Sequence, residues 1–332
     1  MYNTLKTLCM IPSVSGREEA IREKIKGLIS PLTDECAVDN LGNLIAVKRG
    51  IGKDKKKIML CAHMDEIGFI VTYIEDSGFI RIAAVGGINF TASSSSFVIS
   101  ERGVKGVLVP ESGVKPADFS FDKFVIDIGA KNKKEAEKKV CIGDFFVVSP
   151  SISRLYGKRI AGRPLDDRIG CAIMIDIAKK LVSETPKDDV YFVFSVQEEV
   201  GCRGAKPAAF NVSPDYAIVY DVTGTGDTVG AKPMECALGK GAAIKIKDSS
   251  VICNAELVDM LKNAAKENNI THQLEILTYG GTDTSSIQMS GYGTRAGALS
   301  VPTRYIHSGV EMLDLSDAEA CADLTLAFIK ML

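Results

Sequence analysis

The sequence predicts an α/β domain interrupted by a small β-barrel, and three observations carry that expectation. Apolar runs that read as buried strands alternate with amphipathic helical stretches on both sides of the chain's middle, which implies a mostly parallel sheet with helices on its faces. From about residue 67 to 158 the texture changes to short β-prone runs separated by Gly and Ser, without a long helical segment. Histidine and carboxylate residues fall at the ends of strand-like runs, where ligands gather in open α/β sheets.

Taken in order, Ser15 and Glu18 have capping-box spacing ahead of Ile21, Ile25, Leu28 and Ile29 at helical intervals, so an amphipathic helix is expected there. Residues 39–47 read as a turn entering a strand, and 57–63 as a fully buried strand whose end carries His63. The insert offers strands at 69–74, 79–85, 96–100, 106–109, 124–128 and 145–149, with one charged, helix-like piece at 131–139. The α/β pattern then returns with a helix at 166–182, a strand at 190–196 and a buried strand at 216–220 that ends at Asp221. A helix at 256–267, strands at 273–277 and 296–301, and a closing helix at 318–331 complete the chain. The expected division is one discontinuous domain, 1–66 with 159–332, around an insert at 67–158.

The 332 residues are 46% hydrophobic and 25% charged, with a net charge of -2, so the chain has no electrostatic footprint for nucleic acid. The N-terminal residues lack a basic region followed by an apolar run, and no apolar stretch approaches the ~18 residues of a membrane span. The nine scattered cysteines form no CxxC pair and mostly sit in apolar runs, which favours a reducing cytoplasm.

The chemistry concentrates in five islands: His63 with Asp65, Asp166-Asp167, Glu198-Glu199, Asp221, and His307. Histidine with carboxylate is a ligand set for zinc-like divalent ions. Asp65, two residues from His63, is placed to accept a hydrogen bond from the imidazole nitrogen turned away from a metal. Asp166 and Asp167 stand at a helix start, where a carboxylate caps the helix or bridges two ions. Of the adjacent Glu198 and Glu199, one would ligate and the other would stay free as a general base. A two-ion site needs about five protein ligands. His63, Asp166, Glu199, Asp221 and His307 supply them, leaving Glu198 as the base and Asp65 as the orienting carboxylate. The third histidine, His272, is expected on the surface, with Glu275 turned away from it.

Six stretches carry a family resemblance: residues 62–69, 165–170, 196–201, 220–223, 280–283 and 301–308. In this order they resemble the M42 metalloaminopeptidases, which include the tetrahedral aminopeptidases and proteins once labelled endoglucanase. The resemblance implies a zinc-peptidase-like α/β catalytic domain with a β-barrel insert that mediates assembly, from a dimer up to a tetrahedral dodecamer. It also implies two divalent ions per subunit, zinc or cobalt, one on His63 and Asp221 and the other on Glu199 and His307, with Asp166 bridging. It favours Asp166 over Asp167 as the ligand, and it puts Gly281, Thr282 and Asp283 at the pocket for the substrate's first side chain. The expected reaction is removal of N-terminal residues from peptides. Residues 87–96 depart from the family's pattern, which leaves the assembly state open. Two other readings compete: a non-catalytic assembly protein of the same fold, and a glycoside hydrolase. The second needs two carboxylates flanking a sugar and usually an aromatic platform, and the chain has no tryptophan.

Overall fold

Alternation decides which way the central strands face. In the strand Lys57–His63, Ile58, Leu60 and Ala62 pack into one apolar cluster, while Met59 and Cys61 pack into another on the opposite face. This is the period-two geometry of a strand buried on both sides. The helices Tyr2–Cys9, Glu19–Ile29, Arg168–Ser183, Ala255–Glu267 and Leu315–Met331 contribute to the larger cluster; Ala205–Val212 and Asp283–Gln288 contribute to the smaller. The computed structural model describes residues 1–332.

Four strands, in the spatial order Asp189–Ser195, Lys57–His63, Tyr216–Thr223 and Arg295–Arg304, pair in parallel at the centre of an 11-stranded sheet. Parallel pairing puts their carboxyl ends on one edge, so residues far apart in sequence meet there. Glu311–Asp314, Arg159–Arg163 and Ser151–Arg154 extend the sheet beyond Arg295–Arg304. Six antiparallel strands between Gly68 and Val148 close into a barrel with its own apolar core, including Phe69, Phe124 and Phe146. The mixed α/β architecture with a closed barrel is therefore the one the sequence predicts.

Several local expectations are corrected. Ser15 and Glu18 form no capping box: neither side chain caps Glu19–Ile29, and both point into the sheet edge. The helix expected at 131–139 shrinks to Lys133–Ala136, and the helix Tyr2–Cys9 lies where none was expected. The strand expected to end at Asp221 continues to Thr223. Ser151–Arg154, on the insert side of residue 158, pairs with Arg159–Arg163 in the large sheet, so the barrel's own strands finish at Val148. His272 is half-buried, and Glu275 is fully buried beside Lys245. No helix is long and apolar enough to cross a membrane.

Candidate active site

Each candidate side chain reaches the sheet edge from its own element. His63 ends its strand opposite Ser195, Asp221 lies in the neighbouring strand, and Glu198 and Glu199 follow Asp189–Ser195 by a short loop. His307 follows Arg295–Arg304, and Asp166 follows Arg159–Arg163. The Asp166-Asp167 peptide is cis. The two aspartates divide the work: Asp167 caps the helix Arg168–Ser183 by accepting the Gly170 N–H at 3.0 Å, and Asp166 faces both histidines.

His63 Nε2 stands 3.2 Å from Asp166 Oδ1, and His307 Nε2 stands 3.3 Å from Asp166 Oδ2. Glu199 Oε2 lies 3.1 Å from His307 Nε2, while Asp221 Oδ1 and Glu198 Oε2 lie 3.9 and 4.0 Å from His63 Nε2. The structure thus brings together all five expected ligands and Glu198. Four of the seven non-glycine residues with positive φ, Gln197, Cys202, Tyr305 and His307, occupy the two loops that deliver Glu198, Glu199 and His307. Such backbone concentrates at functional sites, where surrounding contacts hold it.

Burial pushes Glu198 and Asp221 well above the usual carboxylate range, and Glu199 above it as well. Asp166 is buried too, but hydrogen bonds with His307 and His63 outweigh that burial and hold its carboxyl well below the range. For His307, burial favours the neutral ring and is outweighed by Asp166 and Glu199, which carry it up to about 11. Once ionised, four carboxylates facing two imidazoles would carry excess negative charge in a buried cleft, and the upward shifts of Glu198, Asp221 and Glu199 express that cost. Divalent cations would neutralise that charge, and a set of imidazole nitrogens and carboxylate oxygens is one that zinc or cobalt accepts. His63, Asp166 and Glu199 each offer a donor atom within 4.8 Å of the others. The residues present fit divalent metal ions.

Asp65 acts differently from its sequence expectation. His63 Nδ1 is 3.1 Å from the Asp65 backbone carbonyl but 3.6 Å from its carboxylate, because Asp65 lies beyond the strand end and the period-two rule no longer applies. The buried Asp65 carboxylate instead accepts the Glu198 N–H at 3.1 Å, the Glu199 N–H at 3.2 Å and the Ser15 hydroxyl at 2.7 Å. Glu18 accepts the Gln197 N–H, so the N-terminal segment braces the same loop. The barrel reaches the site at its rim, where the Asn89 N–H donates to the His307 carbonyl. A Cβ on Gly87 would stand 3.3 Å from His307 Nδ1.

A cavity of about 670 Å³ opens beside these residues, with Gly281, Thr282, Tyr279 and Lys245 in its lining. Asp283, expected with Gly281 and Thr282 at the pocket, is buried outside this lining and accepts the Ser195 hydroxyl at 2.6 Å. Its place at the first turn of Asp283–Gln288 turns the side chain inward. Sequence reasoning also missed Cys202, Glu311 and Lys245. Their partners are distant in the chain or, for Cys202, set by an unusual turn, and no spacing signals them.

A profile of the family described as M42 glutamyl aminopeptidase matches residues 42–324. The chain belongs to the M42 family. It is 46% identical to a protein of Acetivibrio thermocellus across 99% of this chain and 98% of that one. It is 33% identical to the lysyl aminopeptidase of Pyrococcus furiosus, across 100% of this chain and 97% of the relative. Among solved structures, the aminopeptidase APDkam598 from the archaeon Desulfurococcus kamchatkensis superposes with a TM-score of 0.95 at 34% identity, covering 99% of this chain and 94% of that one. The Pyrococcus horikoshii TET1 peptidase, which can assemble into a tetrahedron or a large octahedral shell, gives 0.89 at 37% identity, covering 100% and 99%. This M42 chain is accordingly an enzyme, a peptide hydrolase, and its family supports aminopeptidase activity. M42 membership also implies divalent metal ions.

Proposed function

We propose that this chain is a dinuclear-metal aminopeptidase that removes N-terminal residues from peptides, with Glu198 as general base. The observation that carries the reading is the division of Asp166, whose Oδ1 faces His63 and whose Oδ2 faces His307. In this reading His63 and Asp221 hold one ion, Glu199 and His307 hold the other, and Asp166 serves both. Zinc or cobalt ions bound there would supply Lewis acidity and a water of lowered pKa.

Two contacts support Glu198 as the proton carrier. Its Oε1 receives the Cys202 thiol at 3.1 Å, which leaves Oε2 turned towards His63. Oε2 accepts a proton from the attacking water as the new C–O bond forms. It returns that proton to the amine nitrogen as the C–N bond breaks. Asp65 fixes the backbone of both glutamates, so the base keeps its aim while its neighbour ligates. Gly281 and Thr282 form part of the wall for the first side chain. In this reading the substrate's free amino terminus binds either at the ions or at nearby carboxylates.

By similarity to the TET1 peptidase, a homo-oligomer between a dimer and a tetrahedral dodecamer is the expected form, and the family resemblance assigns the insert at 67–158 to that assembly. The nine cysteines are all free, in keeping with a reducing cytoplasm. Metal-stripped enzyme, with each metal restored in turn, should recover hydrolysis of aminoacyl-p-nitroanilides but leave N-acetylated peptides intact. Glu198→Gln should bind the metals and lose turnover. Full activity in Glu198→Gln, or equal cleavage of acetylated peptides, would overturn the assignment.

A further inference from the structure

One buried carboxylate outside the ligand set touches the backbone of two proposed ligands at once. Glu311 opens the strand Glu311–Asp314 and is 1% exposed. Its Oε2 accepts the Leu165 N–H at 2.6 Å and the Asp166 N–H at 3.2 Å, and its Oε1 accepts the His307 N–H at 3.3 Å. Asp166 and His307 are 141 positions apart, the difference of their residue numbers, and arrive on different strands. Arg163 secures the arrangement from behind. Its Nη1 lies 3.6 Å from Glu311 Oε1 and donates to the Ser308 carbonyl at 2.6 Å, and its Nη2 donates to the Ile67 carbonyl at 3.4 Å.

We infer that Glu311 is a positioning residue that sets the spacing between Asp166 and His307, and through it the shared ligand geometry of the proposed two-ion site. The inference rests on the dinuclear reading for its consequence, whereas the clamp itself rests on the backbone hydrogen bonds. A carboxylate suits the task because every partner of Glu311 is a donor and both of its oxygens accept. His307 has φ of 61°, a conformation that its surroundings must sustain, and the bond to its N–H helps to hold the turn. Glutamine has nearly the same shape but turns an NH2 group towards N–H donors in either orientation. Glu311→Gln therefore tests the charge and acceptor pattern with little change in volume.

The experiment compares wild type, Glu311→Gln and Asp317→Asn as full-length proteins. Asp317 is a buried carboxylate that accepts the Gly239 and Gly241 N–H groups at 2.8 and 2.7 Å, so its variant reports general loss of a buried acid away from the site. Amide exchange is measured on metal-stripped protein, and Co2+ binding by calorimetry with the visible spectrum of the bound ion. In wild type the Leu165, Asp166 and His307 amides should be protected. In Glu311→Gln the amides opposed by the NH2 group, either Leu165 and Asp166 together or His307, should exchange roughly 10-fold faster, as loss of a charge-assisted hydrogen bond implies. Co2+ affinity should fall about 10- to 100-fold, with an altered spectrum. Asp317→Asn should deprotect whichever of Gly239 and Gly241 its NH2 group opposes and leave Co2+ binding unchanged.

Unprotected amides in wild type would overturn the clamp even if the glutamine variant failed to fold. Unchanged protection or affinity in a folded Glu311→Gln would also overturn it, as would an equal loss of Co2+ binding in Asp317→Asn. If wild type bound no metal, the two-ion reading would fall, and the exchange measurements alone would decide for or against the clamp.

Discussion

Replacing Asp65 with Asn probes the site without touching an expected metal ligand. The carboxylate takes the Glu198 N–H on Oδ1, and the Glu199 N–H and Ser15 hydroxyl on Oδ2. Asparagine has one accepting oxygen, so in either orientation its NH2 group opposes one of the two glutamate amides. A hydrogen bond to a charged group contributes about 1.5–3 kcal/mol, and an opposed buried donor costs a further ~1 kcal/mol or more. A total near 3 kcal/mol corresponds to a roughly 100-fold fall in kcat/KM. Ser15→Ala is the graded control, since it removes one hydroxyl bond and leaves both amides bound. Its expected cost, at the low end of that range, is about 1.5 kcal/mol, roughly a 10-fold effect. Steady-state kinetics on an aminoacyl-p-nitroanilide at saturating metal, with thermal melting to verify folding, would read the series. A folded Asp65→Asn within about 10-fold of wild type, or no worse than Ser15→Ala, would refute the claim that Asp65 aims the two glutamates.

Three further expectations concern stability. Asp227 is held down to about 2 from its ordinary 3.8, because hydrogen bonds and charge from Arg304 outweigh the partial burial that would raise it. Its stabilisation is therefore complete above about pH 4 and fades as pH falls towards 2; Asp227→Asn should cost ~1 kcal/mol or less at pH 6, by denaturant titration, and the gap should close on acidification. A gap that widens in acid would contradict that sign. Lys245 is 1% exposed, bonded to Glu275 and 3.5 Å from Asp248, so Lys245→Met strands two buried carboxylates and should cost about 3–5 kcal/mol. Adding Glu275→Gln should restore part of the loss, and a purely additive double variant would argue against coupling. Phe124 is fully buried in the barrel, with the Phe90 and Phe119 ring centroids 5.0 and 4.9 Å away, and Phe124→Ala should cost about 3–5 kcal/mol with barrel amides deprotected before those of the large sheet. Uniform deprotection across both units would show that they open together.

The parts of this fold that sequence reveals are those with a period or a run. The alternation of Ile58, Leu60 and Ala62 against Met59 and Cys61 places both faces of one strand, and the barrel strands fall within two residues of their expected limits. The six proposed site residues converge because strands running in the same direction deliver their carboxyl ends to one edge, which the order of strand-like runs in the sequence already suggests. Ser15 and Glu18 show where that logic stops. Their spacing matches a cap, but Asp65 and the Gln197 amide offered partners that the local sequence does not contain. Glu311, Lys245 and Glu275 were invisible for the same reason, since a buried polar group is defined by what surrounds it in space. Asp166 and Asp167 had two candidate jobs between them, and their side-chain directions distribute one to each.

The division of Asp166 between two histidines is the central claim, and anomalous diffraction at a metal absorption edge from crystals grown with cobalt or zinc tests it most directly. The expected map has two peaks per chain, one beside His63 and Asp221 and the other beside Glu199 and His307, with an Asp166 oxygen against each. A single peak at full metal occupancy, or two peaks with Asp166 touching only one, would contradict it.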